Sequence, residues 1–205
     1  MREPTIDLIF PTAIMCNNID RGFSKEELKF TDLHSTLTYK NSGNVTSLNN
    51  YILDEIEFKD LKQICLEQVN HYINKVYKPT NKVEPYITQS WLNWTKPNGY
   101  HHQHAHPNSF ISGVLYINAD KNEDKIAFYK SQYKQIKLHT DNYDNLNSDS
   151  WFFRVKTGDI VLFPSDLVHN VESVTAKDTR ISLAFNTFLT GTVGSKSGLT
   201  ELIIK

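Results

Sequence analysis

The chain of 205 residues lacks the features that several classes of protein require. Cys16 and Cys65 are its only cysteines, too few for a disulfide framework or a four-cysteine zinc site. Its 22 lysines and arginines are balanced by 23 aspartates and glutamates, whereas binding to nucleic acid or a membrane surface needs a basic excess on one face. No apolar run is long enough to span a membrane, and residues 1–7 lack the apolar stretch of a signal peptide. We therefore expect a cytoplasmic protein that binds neither nucleic acid nor membrane.

The composition that remains is typical of a globular protein. Apolar residues make up 39% of the chain and charged residues 22%. The aromatic content of 12% supplies enough bulky side chains for one sizeable core. A chain of this length buries about 70% of its unfolded surface when it folds as one unit. We predict a single domain over residues 1–205.

Helices are predicted in the first part of the chain, over residues 20–78. Ser24 and Glu27 have the spacing of a capping box, which predicts a short helix toward Phe30. Between residues 55 and 77, apolar residues recur at steps of three and four and form one stripe. This pattern predicts a long helix that ends before Pro79, because proline cannot continue the hydrogen-bond ladder.

Strands are predicted over most of the remaining sequence. Residues 7–15 predict an edge strand interrupted by Pro11, and residues 41–50, rich in Asn, Ser and Gly, predict a loop. The main run of predicted strands comprises residues 86–94, 110–118, 125–129, 151–155, 159–163, 169–174 and 180–189. One long helix followed by this many strands predicts an α+β, mainly β fold, either a β-sandwich or a jelly roll supported by helices.

Four of the eight histidines lie between residues 101 and 106. In an extended chain, residues two apart point the same way, so His102, His104 and His106 are expected on one face and His101 on the other. Two imidazoles on one face can bind a divalent metal if a distant segment supplies a third ligand, and imidazole suits iron, zinc, copper or nickel. A solvated polar loop is the alternative interpretation.

A second pattern lies near the end of the chain. Residues 158–164 predict a tight turn and a buried strand, His169 follows, and Arg180 comes eleven residues later. Arg180 and Ser182 alternate with apolar residues and therefore share one face of a strand, which we expect to look into the barrel. A guanidinium can hold a carboxylate through two parallel hydrogen bonds, so this arginine favours a dicarboxylic acid as ligand. The alternative is a surface arginine that pairs with Asp178 or Glu172.

The order His-x-His, His and Arg on late strands resembles the Fe(II)- and 2-oxoglutarate-dependent oxygenases, and within them a group of small bacterial and phage oxygenases related to prolyl hydroxylases. The matching segments are LIFPT (8–12), HAHPNS (104–109), SGVLY (112–116), GDIVLFPS (158–165), His169 and RISLAFN (180–186). The resemblance covers nearly the whole chain. It implies a double-stranded β-helix, a cupin-like jelly roll, with its strands over residues 86–190.

The resemblance also implies a metal site. His104 would be the first iron ligand and His169 the distal one, and His106 stands where the wider family has Asp or Glu. A neutral imidazole there makes the site one unit more positive than two histidines and a carboxylate. The alternatives to His106 as third ligand are His102, a water molecule, Asp120 and Asp166.

The resemblance implies a co-substrate pocket beside the metal. Arg180 would pair with the far carboxylate of 2-oxoglutarate, with Ser182 beside it. Tyr116 stands where related prolyl hydroxylases donate a phenol hydrogen bond to that carboxylate. Asn93, or its neighbour Trp94, would line the same pocket.

The implied function is a dioxygenase that uses Fe(II), 2-oxoglutarate and dioxygen to hydroxylate a C–H bond. Its prime substrate would be a protein, as in prolyl hydroxylation, or a small molecule. One alternative is a metal-binding, cupin-like isomerase or ligand-binding module without oxygenase activity. Another is a structural or virion-associated protein that keeps only the fold. A phage-encoded protein would act in the host cytoplasm, and a homodimer is left open because the apolar first strand and helix stripe could be core or interface.

Overall fold

A computed structural model describes residues 3–130, 136 and 138–205. Two antiparallel sheets form the framework of this part of the chain. The larger sheet has the order β1-β9-β6-β11-β4-β3-β2, with β12 paired to β11, and the smaller has the order β5-β10-β7-β8. The strands are β1 (Met15–Asn18), β2 (Thr38–Lys40), β3 (Val45–Ser47), β4 (Val83–Thr95), β5 (His101–His104), β6 (Ile111–Asn118), β7 (Lys125–Tyr129), β8 (Ser150–Arg154), β9 (Asp159–Pro164), β10 (His169–Val171), β11 (Arg180–Val193) and β12 (Leu202–Ile204).

The predicted fold class is confirmed. Strands β4, β11, β6 and β9 lie side by side in the larger sheet, and β5, β10, β7 and β8 form the smaller one, so the chain passes back and forth between the sheets as in a jelly roll. Side chains from both sheets meet in one apolar cluster, including Tyr116 and Phe163 from the larger sheet and Phe128 from the smaller. The predicted site residues other than His106 therefore lie on strands that are paired in one of these two sheets.

The two α-helices support the outer side of the larger sheet. Helix α1 (Lys25–His34) begins at Ser24, which forms the predicted capping box with Glu27. Two single-turn 3₁₀ helices precede helix α2 (Lys59–Val76), which begins later than the predicted residue 55. Its apolar stripe is buried as far as Ile73, whereas Val76 at its end is 41% exposed. No helix in the described part of the chain has the length and apolar character needed to cross a membrane.

Strand β9 contributes to two apolar layers at once. Ile160 and Leu162 pack in the cluster that contains the helix α2 stripe, whereas Val161 and Phe163 pack in the cluster between the sheets. All four side chains are at most 1% exposed. Because side chains alternate between faces of a strand, a continuous apolar run is what a strand buried on both faces requires.

Two local predictions are wrong. The segment before Met15 forms no strand, and Ile9 and Phe10 are 72% and 93% exposed. The predicted loop at residues 41–50 contains strand β3, which pairs with β2 and β4. In both places the pairing with a neighbouring strand, rather than the local pattern of residues, determines whether a strand forms.

Gly113 on β6 provides a test of the helix-side core. A Cβ at this position would lie 2.2 Å from Phe185 Cζ and 2.7 Å from Leu162 Cδ2, and both neighbours are fully buried. We expect Gly113→Ala to lower the free energy of unfolding by about 2 to 3 kcal/mol, because the core must shift to admit the methyl group. Urea unfolding measures this change. A Cβ at Gly22 would have no atom within 4 Å, so Gly22→Ala should change stability by less than about 0.5 kcal/mol; equal effects of the two substitutions would contradict this account of the core.

Candidate active site

Three histidines from two neighbouring strands and a loop lie together at one end of the smaller sheet. His104 ends β5, and His169 begins β10 directly opposite it in the antiparallel ladder. His106 follows two residues after β5, where its backbone N–H donates to the carbonyl of Ser165 at 2.8 Å. One ring nitrogen from each histidine lies within 4.8 Å of those of the other two. The three imidazoles are thus close enough to bind one ion.

Backbone carbonyls orient two of these rings. His104 Nδ1 lies 2.8 Å from the carbonyl of His102, and His169 Nδ1 lies 2.9 Å from the carbonyl of Leu167. A carbonyl oxygen can only accept a hydrogen bond, so Nδ1 must carry the proton in each ring. This leaves Nε2 with a free lone pair, the arrangement that metal-binding histidines usually have.

Burial keeps the three imidazoles neutral. It lowers the pKa of His169 to about 3 and that of His106 to about 4, and neighbouring histidines add to both shifts. Burial likewise lowers the pKa of His104. Since neutral imidazole is the form that binds metal, the cluster needs no loss of protons at neutral pH to bind a cation.

A second group of histidines shares His104. His101, His102 and His104 also have ring nitrogens within 4.8 Å of one another. The prediction that His101 points away from His104 is wrong, because their rings stack with centroids 4.4 Å apart. The pairing of β5 with β10 is irregular between His169 and Val171, so the two-residue alternation does not hold here. Among the described residues, neither group includes a carboxylate.

Arg180 is a buried cation that forms no ion pair with any residue in the described part of the chain. It is the first residue of β11, opposite Thr95 of β4, and is 3% exposed. Its Nη2 lies 3.4 Å from Thr95 Oγ1, whereas Nε and Nη1 are buried and have no hydrogen-bond partner. The alternative pairing with Glu172 is wrong, because Glu172 forms its ion pair with Lys125 at 2.5 Å. A buried charge of this kind favours an anionic ligand.

The residues expected around Arg180 form a row across three adjacent strands. Ser182 of β11 lies opposite Asn93 of β4 on one side and Tyr116 of β6 on the other. The Tyr116 hydroxyl is buried and has no hydrogen-bond partner. Burial raises the pKa of this phenol, so it stays protonated and can donate a hydrogen bond. Trp94, in contrast, packs in the helix-side core and not in this row.

A cavity of about 230 Å³ reaches Arg180. Its walls are residues 122–125, Arg154 and residues 171–175. Asp124 lies in this wall with its Oδ1 buried and unpartnered, and burial raises the pKa of its carboxyl. The guanidinium therefore borders open space large enough for a small ligand group.

Two residues of the site were not predicted from the sequence. Thr95 contacts Arg180 only because β4 pairs with β11 in one register, which cannot be read from either strand alone. His101 lies near the metal cluster because of the irregular pairing of β5. The run of histidines was the available signal for His101, whereas no local signal indicated Thr95.

Comparisons with known proteins agree with this arrangement. A family model described as "Putative 2OG-Fe(II) oxygenase" matches residues 89–186, the segment that contains His104, His106, His169 and Arg180. No curated protein matches the chain in a sequence search.

Several solved structures share the fold. An oxidoreductase of the 2OG-Fe(II) oxygenase family from Burkholderia pseudomallei has 12% identity and a TM-score of 0.57, over 85% of this chain and 83% of that one. HygX from Streptomyces hygroscopicus, with nickel, 2-oxoglutarate and hygromycin B bound, has 11% identity and a TM-score of 0.59, over 86% and 82%. A prolyl-4-hydroxylase from Pseudomonas putida has 13% identity and a TM-score of 0.54, over 85% and 92%.

The lowered histidine pKa values predict a pH dependence of stability. Unfolded imidazoles take up protons near pH 6.5, whereas folded His106 and His169 do so only near pH 4 and pH 3. Between these values the unfolded state binds more protons, so stability falls as the pH falls. We expect the metal-free protein to lose at least about 2 kcal/mol of unfolding free energy between pH 7 and pH 5, measured by urea unfolding.

Two variants test the origin of this dependence. His169→Gln removes one of the buried imidazoles and should flatten the pH profile. His71→Gln removes an exposed histidine of helix α2 and should leave the profile unchanged. Identical pH slopes for wild type and His169→Gln would show that the cluster does not cause the dependence.

Proposed function

We propose that the chain is a non-haem Fe(II)- and 2-oxoglutarate-dependent dioxygenase that hydroxylates a C–H bond. The match of residues 89–186 to a family model described as 2OG-Fe(II) oxygenase supports this proposal. One observation carries the proposal: the same jelly roll holds three neutral histidines around a common point and a buried arginine with two unpartnered nitrogens. The first arrangement suits a divalent cation, and the second suits a carboxylate.

His104, His106 and His169 would hold Fe(II). Two of the rings are fixed by backbone carbonyls so that Nε2 is free, and all three have lowered pKa values. The set fits iron, although imidazole ligands also suit zinc, copper and nickel. Since no carboxylate joins the described group, the ion would keep its full charge of two until an anionic ligand binds.

Arg180 would bind the distal carboxylate of 2-oxoglutarate. Its unpartnered Nε and Nη1 can donate two hydrogen bonds. The hydroxyls of Tyr116 and Ser182 would donate further hydrogen bonds, and the Asn93 side chain, held by a 3.0 Å hydrogen bond from Thr46, would complete the wall. These residues would orient the co-substrate so that its 2-oxo acid end faces the histidines.

The metal and co-substrate supply the chemistry. When bound, Fe(II) and 2-oxoglutarate activate dioxygen for C–H hydroxylation, with release of succinate and carbon dioxide. The protein's part is to position the ligands and to exclude water. Phe163 lies with its ring centroid 4.6 Å from that of His169, and Phe128 packs behind it at 6.1 Å from His169. These apolar rings would keep one side of the metal site dry.

The prime substrate would be a protein, as in prolyl hydroxylation, or a small molecule. The Pseudomonas putida relative is a prolyl-4-hydroxylase, and HygX was solved with hygromycin B, so relatives of this fold are associated with both classes. A cupin-like module without oxygenase activity would use the same three histidines. Such a module would not require a buried guanidinium like that of Arg180, and it would not release succinate from 2-oxoglutarate.

Spectroscopy tests the metal site. Anaerobic addition of Fe(II) and then 2-oxoglutarate should produce a weak visible charge-transfer band in the wild type. His169→Ala should abolish the band, because the ion loses one of its ligands, whereas His71→Ala on the exposed side of helix α2 should keep it. Absence of the band in the wild type, or its persistence in His169→Ala, would overturn the assignment.

Binding measurements test the arginine. Arg180→Met keeps much of the side-chain volume but removes the charge, so the affinity for 2-oxoglutarate should fall by about 100-fold while Fe(II) affinity is retained. Titration of the charge-transfer band gives both values. Lys75→Met is the control, since it also removes a positive charge but lies exposed in the last turn of helix α2, outside the cavity that reaches Arg180. An unchanged affinity for 2-oxoglutarate in Arg180→Met would exclude Arg180 as the anchor.

A further inference from the structure

The hairpin formed by β2 and β3 pairs with β4 beside Asn93, one of the residues proposed to hold the co-substrate, although it precedes the family-matched segment. Val45 of β3 lies opposite Trp94, and Thr46 lies opposite Asn93 and donates to its Oδ1 at 3.0 Å. Because the strands are antiparallel, continuing this register places Asn44 beside Thr95. The Thr95 hydroxyl is the group 3.4 Å from Arg180 Nη2. The hairpin therefore lies beside the end of β4 that contacts Arg180.

The side chain of Asn44 is buried there without a hydrogen-bond partner among the described residues. It is 8% exposed, and both its Nδ2 and its Oδ1 are buried and unpartnered. Asn44 is a bend residue directly before β3, and continuing the side-chain alternation of β3 by one residue places it on the side of Thr46, toward Asn93. A buried amide that makes no hydrogen bond is costly, and native proteins usually satisfy such a group with protein, water or ligand.

Several buried groups in this region can donate a hydrogen bond and have no acceptor among the described residues. Nε and Nη1 of Arg180 and the hydroxyl of Tyr116 are buried without partners, as is the amide of Asn44. All of these groups can donate a hydrogen bond, and only the guanidinium carries a charge. A carboxylate, which accepts through two oxygens, complements such a set.

The hairpin tip is fixed rather than free. The Tyr100 N–H donates to the carbonyl of Gly43 at 3.0 Å, and Asn41 Nδ2 lies 3.4 Å from His101 Nε2. Gly43 has a φ of +84°, and a Cβ there would lie 2.5 Å from the carbonyl oxygen of Tyr100. Only glycine permits this close contact, so the turn before Asn44 is anchored to the strand that carries His101 and His104.

We propose that Asn44 binds the distal carboxylate of 2-oxoglutarate together with Arg180, and that it thereby contributes to selectivity for a dicarboxylic over a monocarboxylic 2-oxo acid. The Asn44 Nδ2 group donates a neutral hydrogen bond to one oxygen of the carboxylate, and Arg180 supplies the charge. The inference rests on the proposed function, because it presupposes that 2-oxoglutarate occupies this pocket.

Two substitutions of similar volume test the role of Asn44. Asn44→Leu removes the donor, and Asn44→Asp replaces the amide by a group that repels a carboxylate. Both should weaken the binding of 2-oxoglutarate to the Fe(II)-loaded protein by about tenfold or more, as measured by anaerobic titration of the charge-transfer band. The affinity for 2-oxovalerate, which has the same chain length but a methyl group in place of the distal carboxylate, should change by less than about twofold.

Ser42→Asp provides the matched control. It adds the same charge at an exposed position of the same hairpin tip, where solvent screening should limit its effect on 2-oxoglutarate binding to less than about twofold. Unchanged 2-oxoglutarate affinity in both Asn44 variants would overturn the inference and leave the proposed function intact. Equal losses of affinity for 2-oxoglutarate and 2-oxovalerate would also overturn it, since they would show a structural role. A wild-type protein that binds no 2-oxoglutarate would overturn the proposed function itself.

Discussion

The burial of the Arg180 guanidinium inside the barrel is the constraint on which the rest of the site depends. A cation removed from water loses several kcal/mol of hydration, and in a stable structure an anion or several hydrogen bonds must compensate for the loss. The side-chain hydrogen bonds of Arg180 to described residues amount to one long contact, with the hydroxyl of Thr95. Burial accordingly lowers the pKa of Arg180, while Tyr116 and Asp124 oppose the shift without forming an ion pair with it. The positive charge of Arg180 inside the barrel thus stays uncompensated until an anion binds.

A metal ion bound by the histidine cluster would be a second positive charge in the barrel that lacks a negative partner. Three neutral imidazoles give a bound divalent ion no negative ligand, so its charge stays largely uncompensated. A ligand that places one carboxylate at the metal and another at Arg180 would neutralise both ends of the pocket. A dicarboxylic 2-oxo acid has this distribution of charge, and the donors between the two ends, such as Tyr116 and Ser182, would fix its orientation.

The sequence predicted the features that depend on local periodicity. The stripe of helix α2, the capping box at Ser24 and the strands of the jelly roll follow from the spacing of apolar and turn residues. The order of the motifs also indicated three histidines that the structure brings together, although their roles as ligands stay predictions.

Features that depend on pairing between distant strands were not predicted. Strand β3 forms where an Asn-rich loop was expected, and the irregular pairing of β5 turns His101 toward His104. Apolar residues at 7–15 predicted a strand, but no neighbouring strand pairs with the segment before Met15 in the described part of the chain.

Strand β9 connects the packing beneath the helices with the packing around the histidine cluster. Its odd-numbered side chains, Val161 and Phe163, face the inner layer, and the ring of Phe163 touches that of His169. Its even-numbered side chains, Ile160 and Leu162, face the helices. A larger or smaller side chain beneath the helices would therefore shift the backbone of β9, and the same backbone positions Phe163 against the histidine cluster. We therefore expect a change of side-chain volume in the outer layer to alter the geometry of the histidine cluster, even at positions that do not approach a ligand.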